Sequence, residues 1–298
     1  MMSAREAPRL RYEPASNEEN GVLKWRLLLT TLPIVAAVLI AKILLSSVLH
    51  FDGWIDFTDT ALVLTGGIFL IGFMLAGTMA DYKESEKLPA ELAAQLESLE
   101  DSLEHAVAVN ATPIQRSSVI GVHRSMAQSI YDWLMKRNAQ EDVFDSLHRV
   151  ALTLQDLEKQ GVHGGAVGKM TGDVDKIRKI VSRLSVISRT GFLAAGYALL
   201  EMLIVLIICL LLISSFRSLA AEAIVIPFVT LIYVYMYRLI RDIDDPFEYS
   251  PDGQRGTSEV ALFPLTEYLA RLDSRIAEGA TDAGRASFDS PDVRRTPR

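Results

Sequence analysis

Apolar and polar positions along the chain follow two regimes. In four stretches, residues 27–49, 61–80, 191–216 and 219–237, almost every position is apolar; between them apolar residues recur every three or four positions among charged ones. A helix needs about 20 apolar residues to cross a hydrocarbon core about 30 Å thick. Each unbroken stretch therefore predicts a membrane-spanning helix. The first carries only Lys42, the second no charge, the third only Glu201, and the fourth only Glu222 near its start. The first stretch is too long, and the polar segment before it too extended, for a secretory signal.

Residues 81–190 obey the helical period instead. Leu92, Leu96, Leu99 and Leu103 alternate steps of four and three, which marks one face of a helix and also suits a coiled-coil-like seam. Pro113 separates this helix from a second that runs to about Arg137, with Ile114, Ile130, Trp133 and Leu134 as candidate core. A third carries Val143, Leu147, Val150, Leu154 and Leu157. The glycine-rich residues 161–168 read as a connection, and a fourth helix with Val174, Ile177, Val181 and Leu184 is expected to run without a break into span three. Beyond Pro251, Val260, Leu262, Phe263, Leu265, Leu269 and Leu272 form an amphipathic strip within residues 259–276, while residues 279–298 are small, charged and expected to be disordered.

Composition accords with this division. Half the residues are hydrophobic and mean hydropathy is +0.23, yet 22% are charged, so the apolar material is concentrated in blocks. Net charge is −7 with no large basic surplus, which argues against a nucleic-acid partner. Lys and Arg are retained on the cytoplasmic side of a span. Lys24 and Arg26 precede span one, Lys83 and Lys87 follow span two, Arg183 and Arg189 precede span three, and Arg238 and Arg241 follow span four. Residues 50–60 hold Asp52, Asp56 and Asp59 with no Lys or Arg, and Arg217 alone follows span three. Both termini are thus expected in the cytoplasm. Trp25, Trp54, Tyr82, Tyr233, Tyr235 and Tyr237 fall where aromatic residues anchor at the interface.

Catalytic chemistry is hard to find. The single Cys209 lies within span three, and the five histidines show neither metal-ligand spacing nor a Ser/His/Asp or Cys/His arrangement. The Gly168-Lys169 step suggests a phosphate loop, but the first glycine of that motif would fall on His163, Met170 follows the lysine, and no strand precedes it. No enzyme activity, cofactor or metal is expected. The candidate chemistry is the pair of intramembrane charges, each costing about 2.5–3.5 kcal/mol or more near the bilayer centre. Lys42 and Glu201 either line a polar path and meet near mid-membrane, or play structural roles, Lys42 snorkelling outward and Glu201 bonding to a neighbouring helix.

Span two is both uncharged and glycine-rich. Thr65, Phe69, Phe73 and Gly77 fall four apart on one stripe, and Gly66, Gly67 and Gly72 permit close helix contact. The stripe either packs against lipid or another span, or forms an apolar constriction when copies of the helix surround an axis.

Phe69-Leu70-Ile71-Gly72-Phe73, the later Leu88-Pro89 step, Ile226-Pro227-Phe228 and Asp245-Pro246-Phe247 together resemble the bestrophins, as does the order of spans and insert across residues 25–250. Bestrophins are pentameric ion channels, mostly for chloride and other anions, with some bacterial members conducting cations. The resemblance implies a pore lined by span two, with a neck at Thr65, Phe69 and Phe73. Thr65 stands where the family usually has isoleucine, making the outer ring more polar. Glu248 replaces the glycine of the family's Pro-Phe-Gly, and the long acidic run of its calcium clasp is missing. Asp242, Asp244 and Asp245 lie upstream instead, favouring a carboxylate-rich helix end facing solvent over calcium control. The segment after Phe247 would wrap a neighbouring subunit.

The expected protein is all-α, with four transmembrane helices and a helical cytoplasmic domain inserted between spans two and three. Its parts are a flexible N-terminus (1–24), spans one and two (25–80), the helical insert (81–190), spans three and four (191–240), a cytoplasmic C-terminal segment (241–278) and a disordered tail (279–298). The functional expectation is a homo-oligomeric, pentameric chloride-type channel in a bacterial inner membrane, with lipid, inorganic ions and its own copies as partners. The alternative is a non-conducting scaffold that recruits a partner through the leucine seam. A secondary transporter fits less well, because the halves show neither a repeat nor paired broken helices.

Overall fold

A computed structural model describes residues 17–48, 53–110, 114–189, 194–247, 249 and 259–288, with side chains described from 25 to 279. The described residues are mostly helical, and the strand pairing among them is two residues long and parallel. Contacts divide it into two compact units. One comprises the described residues from 17 to 86 and from 186 to 260; the other comprises those from 87 to 185 and from 261 to 288.

The first unit holds the candidate spans: α1 (Asn17–Val48), α2 (Phe57–Ser85), α7 (Ala194–Ile213) and α8 (Leu219–Asp244). Among the described residues four helices are long and apolar enough to cross a membrane, one at each stretch read from the sequence; α7 is shorter than its stretch of 191–216, because Ser214 and Ser215 form β2. Helix α1 begins at Asn17, inside the segment expected to be flexible; residues 1–16 lie outside the described residues. Helix α8 packs on α1, α2 and α7. Their shared core joins Leu64, Ile71 and Met74 of α2 to Leu200, Ile204, Ile207 and Leu211 of α7 and Tyr233, Val234 and Ile240 of α8. Strand β1 (Ile55–Asp56) pairs in parallel with β2 (Ser214–Ser215), placing the turn before α2 beside the end of α7. Phe57 stacks on Phe216 there, ring centroids 5.0 Å apart. Gly53 has φ +90°, and a Cβ on it would lie 2.6 Å from the Ser215 nitrogen, so glycine is required for this approach.

The second unit contains α3 (Leu88–Val109), α4 (Arg116–Leu134), α5 (Gln140–Lys159), most of α6 (Gly164–Ile187), and α9 (Phe263–Phe288). The leucine seam is real, and it is covered: Leu92, Leu96, Leu99 and Leu103 are fully buried, and α3 packs against both α4 and α9. A seam closed by the chain's own helices leaves no apolar face for the partner that the scaffold alternative requires. In α4, Ile130 and Leu134 are buried as expected, while Trp133, and Ile114 just before the helix, are only half-buried and Ile120, His123 and Met126 fill the core instead.

Three further expectations change. The glycine-rich stretch is not a loop throughout, since α6 starts at Gly164. Only Gly161 takes a positive φ, +93°, and the His163 side chain accepts a hydrogen bond from the Gly165 N–H, serving as a cap. The C-terminal strip forms α9 with Leu265, Tyr268, Leu269 and Leu272 buried, lying on α3 and α4 of its own chain. That helix continues to Phe288, into the tail expected to be disordered, where the alanines at 280, 283 and 286 favour helix. Residues 289–298 lie outside the described residues, as do residues 250–258, where a wrap around a neighbour was expected to begin. Helix α6 ends at Ile187 in a turn at Ser188 and Arg189, so it does not run unbroken into α7.

Candidate pore face

Helix α2 starts at a polar cap. The Asp56 side chain accepts from the Thr58 N–H at 2.8 Å, and Asp59 adds a carboxylate to the first turn, both complementing the helix dipole. From there the buried positions are Thr60, Leu64, Gly67, Ile71, Met74 and Thr78, alternating steps of four and three along one stripe. This is the side packed on α7 and α8.

The opposite side is bare among the described residues. Phe69 is 76% exposed and Phe73 71%, with Thr65, Gly66, Gly72 and Ala76 exposed beside them. At 100° per residue, Phe69 lies about 180° from the middle of the buried stripe. Glycines on this side do not serve packing within the chain, because a Cβ at Gly66 or Gly72 would meet nothing within 4 Å. The Thr65 hydroxyl is turned to its own helix, donating to the Ala61 carbonyl at 2.8 Å. The three predicted neck residues thus share one uncharged, exposed strip.

Gly67 is different. A Cβ there would lie 2.7 Å from the Tyr233 hydroxyl and 2.9 Å from Ile207 Cδ1. Tyr233, read from the sequence as an interfacial anchor, is instead fully buried, and its hydroxyl donates to the Leu64 carbonyl of α2. The sequence signal for this contact was the Gly66-Gly67 pair: one glycine serves the exposed strip, the other admits the tyrosine.

Lys42 and Glu201 are not brought together. Lys42, 3% exposed, donates to the Leu212 carbonyl at 3.1 Å and the Ser214 carbonyl at 2.6 Å, and its ammonium sits 5.6 Å from the Phe216 ring centroid. It satisfies carbonyls freed at the end of α7, where a cation is also favoured by the helix dipole. Lys42→Met would strand two buried carbonyls, and the expected cost is about 1–3 kcal/mol. Thermal unfolding of the detergent-purified variant beside Lys42→Arg checks this, the arginine retaining most of the stability. Glu201, exposed on α7, accepts a hydrogen bond from the Tyr237 hydroxyl of α8. Each charge therefore has a local partner and neither requires a shared path.

Near the end of α8 the Asp245 side chain accepts from the Phe247 N–H at 3.3 Å, Phe247 is buried, and the Val260 N–H donates to the Pro246 carbonyl at 2.9 Å. Asp245 therefore works as a turn former, and Glu248 lies outside the described residues. Among the described residues no His, Cys, Asp and Glu side chains gather as a metal-ligating cluster.

No protein-family model and no curated protein matches the sequence. Solved structures do. The chain matches a bacterial bestrophin homologue from Klebsiella pneumoniae with TM-score 0.67 at 14% identity, covering 86% of this chain and 98% of that one. A tyrosine-to-alanine mutant of that homologue gives TM-score 0.66 at 15% identity over 86% and 99% of the two chains, and a tryptophan-to-alanine mutant 0.66 at 13% over 90% and 98%. At these identities the likeness concerns the fold: over most of its length, this four-span chain is built like the bacterial bestrophin homologues.

Proposed function

We propose that the chain is the protomer of a pentameric, bestrophin-like ion channel in which α2 lines an axial pore and anions pass in preference to cations. The observation that carries this reading is the exposed strip of α2. Two large aromatic rings stand opposite a fully packed face, beside glycines that nothing in the chain needs. Copies of α2 around an axis would give the glycines close neighbours and set the phenylalanines as an apolar constriction that gates by dewetting. An uncharged neck selects by cost of dehydration and by the positive edges of aromatic rings, which suits weakly hydrated anions. The protein would be multi-pass in a bacterial inner membrane. The distribution of Lys and Arg supports cytoplasmic termini and a cytoplasmic helical insert. Conduction would be passive, without catalysis.

Native mass spectrometry of the detergent-purified protein, followed by bilayer recording in a KCl gradient, tests this directly. A pentamer whose reversal potential moves toward the chloride equilibrium value is expected. A monomer or dimer, or silence from an intact pentamer, contradicts it.

A further inference from the structure

In a regular α-helix the Leu64 carbonyl receives only the Ile68 N–H. In α2 it also accepts from the Tyr233 hydroxyl. A phenol from α8 therefore stands at the carbonyl end of one backbone rung of the candidate pore helix. Side chains that enter the ladder in this way are a recognised cause of local bending in helices.

The surroundings commit the residue to this contact. Tyr233 is 1% exposed, lies in the core shared by α2, α7 and α8, and has Val234 and Ile207 beside it in that core. Gly67 leaves no room for a side chain, since its Cβ would meet the tyrosine hydroxyl and ring at 2.7 and 3.0 Å. Gly66, Gly67 and Gly72 leave this stretch of α2 with little intrinsic helical preference. Thr65 and Phe69, each the residue that follows one end of the rung, belong to the exposed strip.

We infer that the Tyr233 hydroxyl is a positioning device for the pore: it holds the Leu64–Ile68 rung of a glycine-softened helix and thereby fixes the direction in which Thr65 and Phe69 face the axis. Tyr233 does not itself touch the permeant ion. This inference rests on the reading of α2 as pore-lining, but the clamp has a signature of its own.

The test is residue-resolved hydrogen exchange of the oligomer in lipid nanodiscs, comparing wild type with Tyr233→Phe, which keeps the ring, and Gly67→Ala, which pushes the hydroxyl away. Both variants are expected to exchange about tenfold faster at Ile68 and Phe69, the effect of losing one hydrogen bond, with the remainder of α2 and α8 unchanged. Unchanged exchange at these amides, or a uniform rise over the whole unit, overturns the clamp. In parallel recordings Tyr233→Phe is expected to shift the chloride-to-sodium permeability ratio or the unitary conductance about threefold, half of the same free-energy change. Unaltered conduction beside faster exchange overturns the link from clamp to pore, whereas a silent wild type overturns the pore reading and leaves the clamp to be decided by exchange.

Discussion

Phe69→Ala is expected to raise ion flux through the reconstituted protein by about tenfold or more, and Phe69→Ala combined with Phe73→Ala by more again. The exposed strip of α2 carries no charge and no hydrogen-bond donor turned away from its own helix. At an axis, a constriction of phenylalanine rings would hold water out, and the barrier to conduction is then largely the cost of wetting it. Replacing each ring by a methyl group in every copy widens the constriction and removes apolar surface. A fall of about 1.4 kcal/mol in the barrier is enough for a tenfold rise. Because both rings are exposed in the single chain, neither change opens a cavity within the protomer, so folding and assembly should be retained. Stopped-flow chloride flux from liposomes, read against thermal stability and oligomer mass, checks both parts.

The helical insert is expected to lose stability on mild acidification, through one residue. His123 is 1% exposed; its Nε2 lies 2.6 Å from the Tyr268 hydroxyl, and its Nδ1 has no hydrogen-bond partner among the described residues. Burial pushes its pKa down from 6.5 to about 4. The fold thus favours neutral imidazole, so this stabilisation is complete above pH 6.5 and lost as pH falls toward 4. At 1.36 kcal/mol per pKa unit the loss approaches about 3 kcal/mol. Glu100 works in the opposite sense. Burial pushes its carboxyl up, against the pull of Arg275, so its protonation on acidification favours the folded state. Asp173 is different again: burial alone would raise it, but Lys169 and Lys176 hold its carboxyl below the usual range, and Glu97 is held low chiefly by its hydrogen bond from Arg275. Those two begin to lose their contribution as pH falls into the ordinary carboxylate range, at the lower edge of the histidine's window. Thermal unfolding should therefore show a falling midpoint between pH 6.5 and 4.5 in wild type, a steeper fall in Glu100→Gln, and a flat or rising midpoint on acidification in His123→Gln. A wild-type slope that persists in His123→Gln would contradict the assignment.

The sequence made some features legible because their physics is local. Four uncharged or singly charged apolar runs must be satisfied by helix in lipid, and the structure has helices at each. The steps of four and three from Leu92 to Leu103 reported a buried face correctly, since period alone decides which side of a helix is apolar. What covers that face was not legible. Helix α9 arrives from about 170 residues later in the chain, as in the ion pair of Arg275 with Glu97, 178 positions apart. The same holds for the site. The stripe of Thr65, Phe69 and Phe73 could be read from spacing, but Tyr233 looked like an interfacial anchor because nothing local shows that its hydroxyl meets the Leu64 carbonyl 169 positions away. Lys42 is instructive too: its burial against the Leu212 and Ser214 carbonyls depends on the end of α7, and neither snorkelling nor pairing with Glu201 describes it.

Conduction along the proposed axis requires α2 to turn its aromatic strip toward copies of itself. The most direct measurement is oxidative cross-linking of Phe69→Cys in a Cys209→Ala background, reconstituted in liposomes and resolved on a denaturing gel. Disulfide-linked dimers that form quickly, together with block of flux by a water-soluble thiol reagent, are predicted. A thiol that reacts only with membrane-partitioning reagents, and never links two copies, would place Phe69 against lipid and contradict the pore.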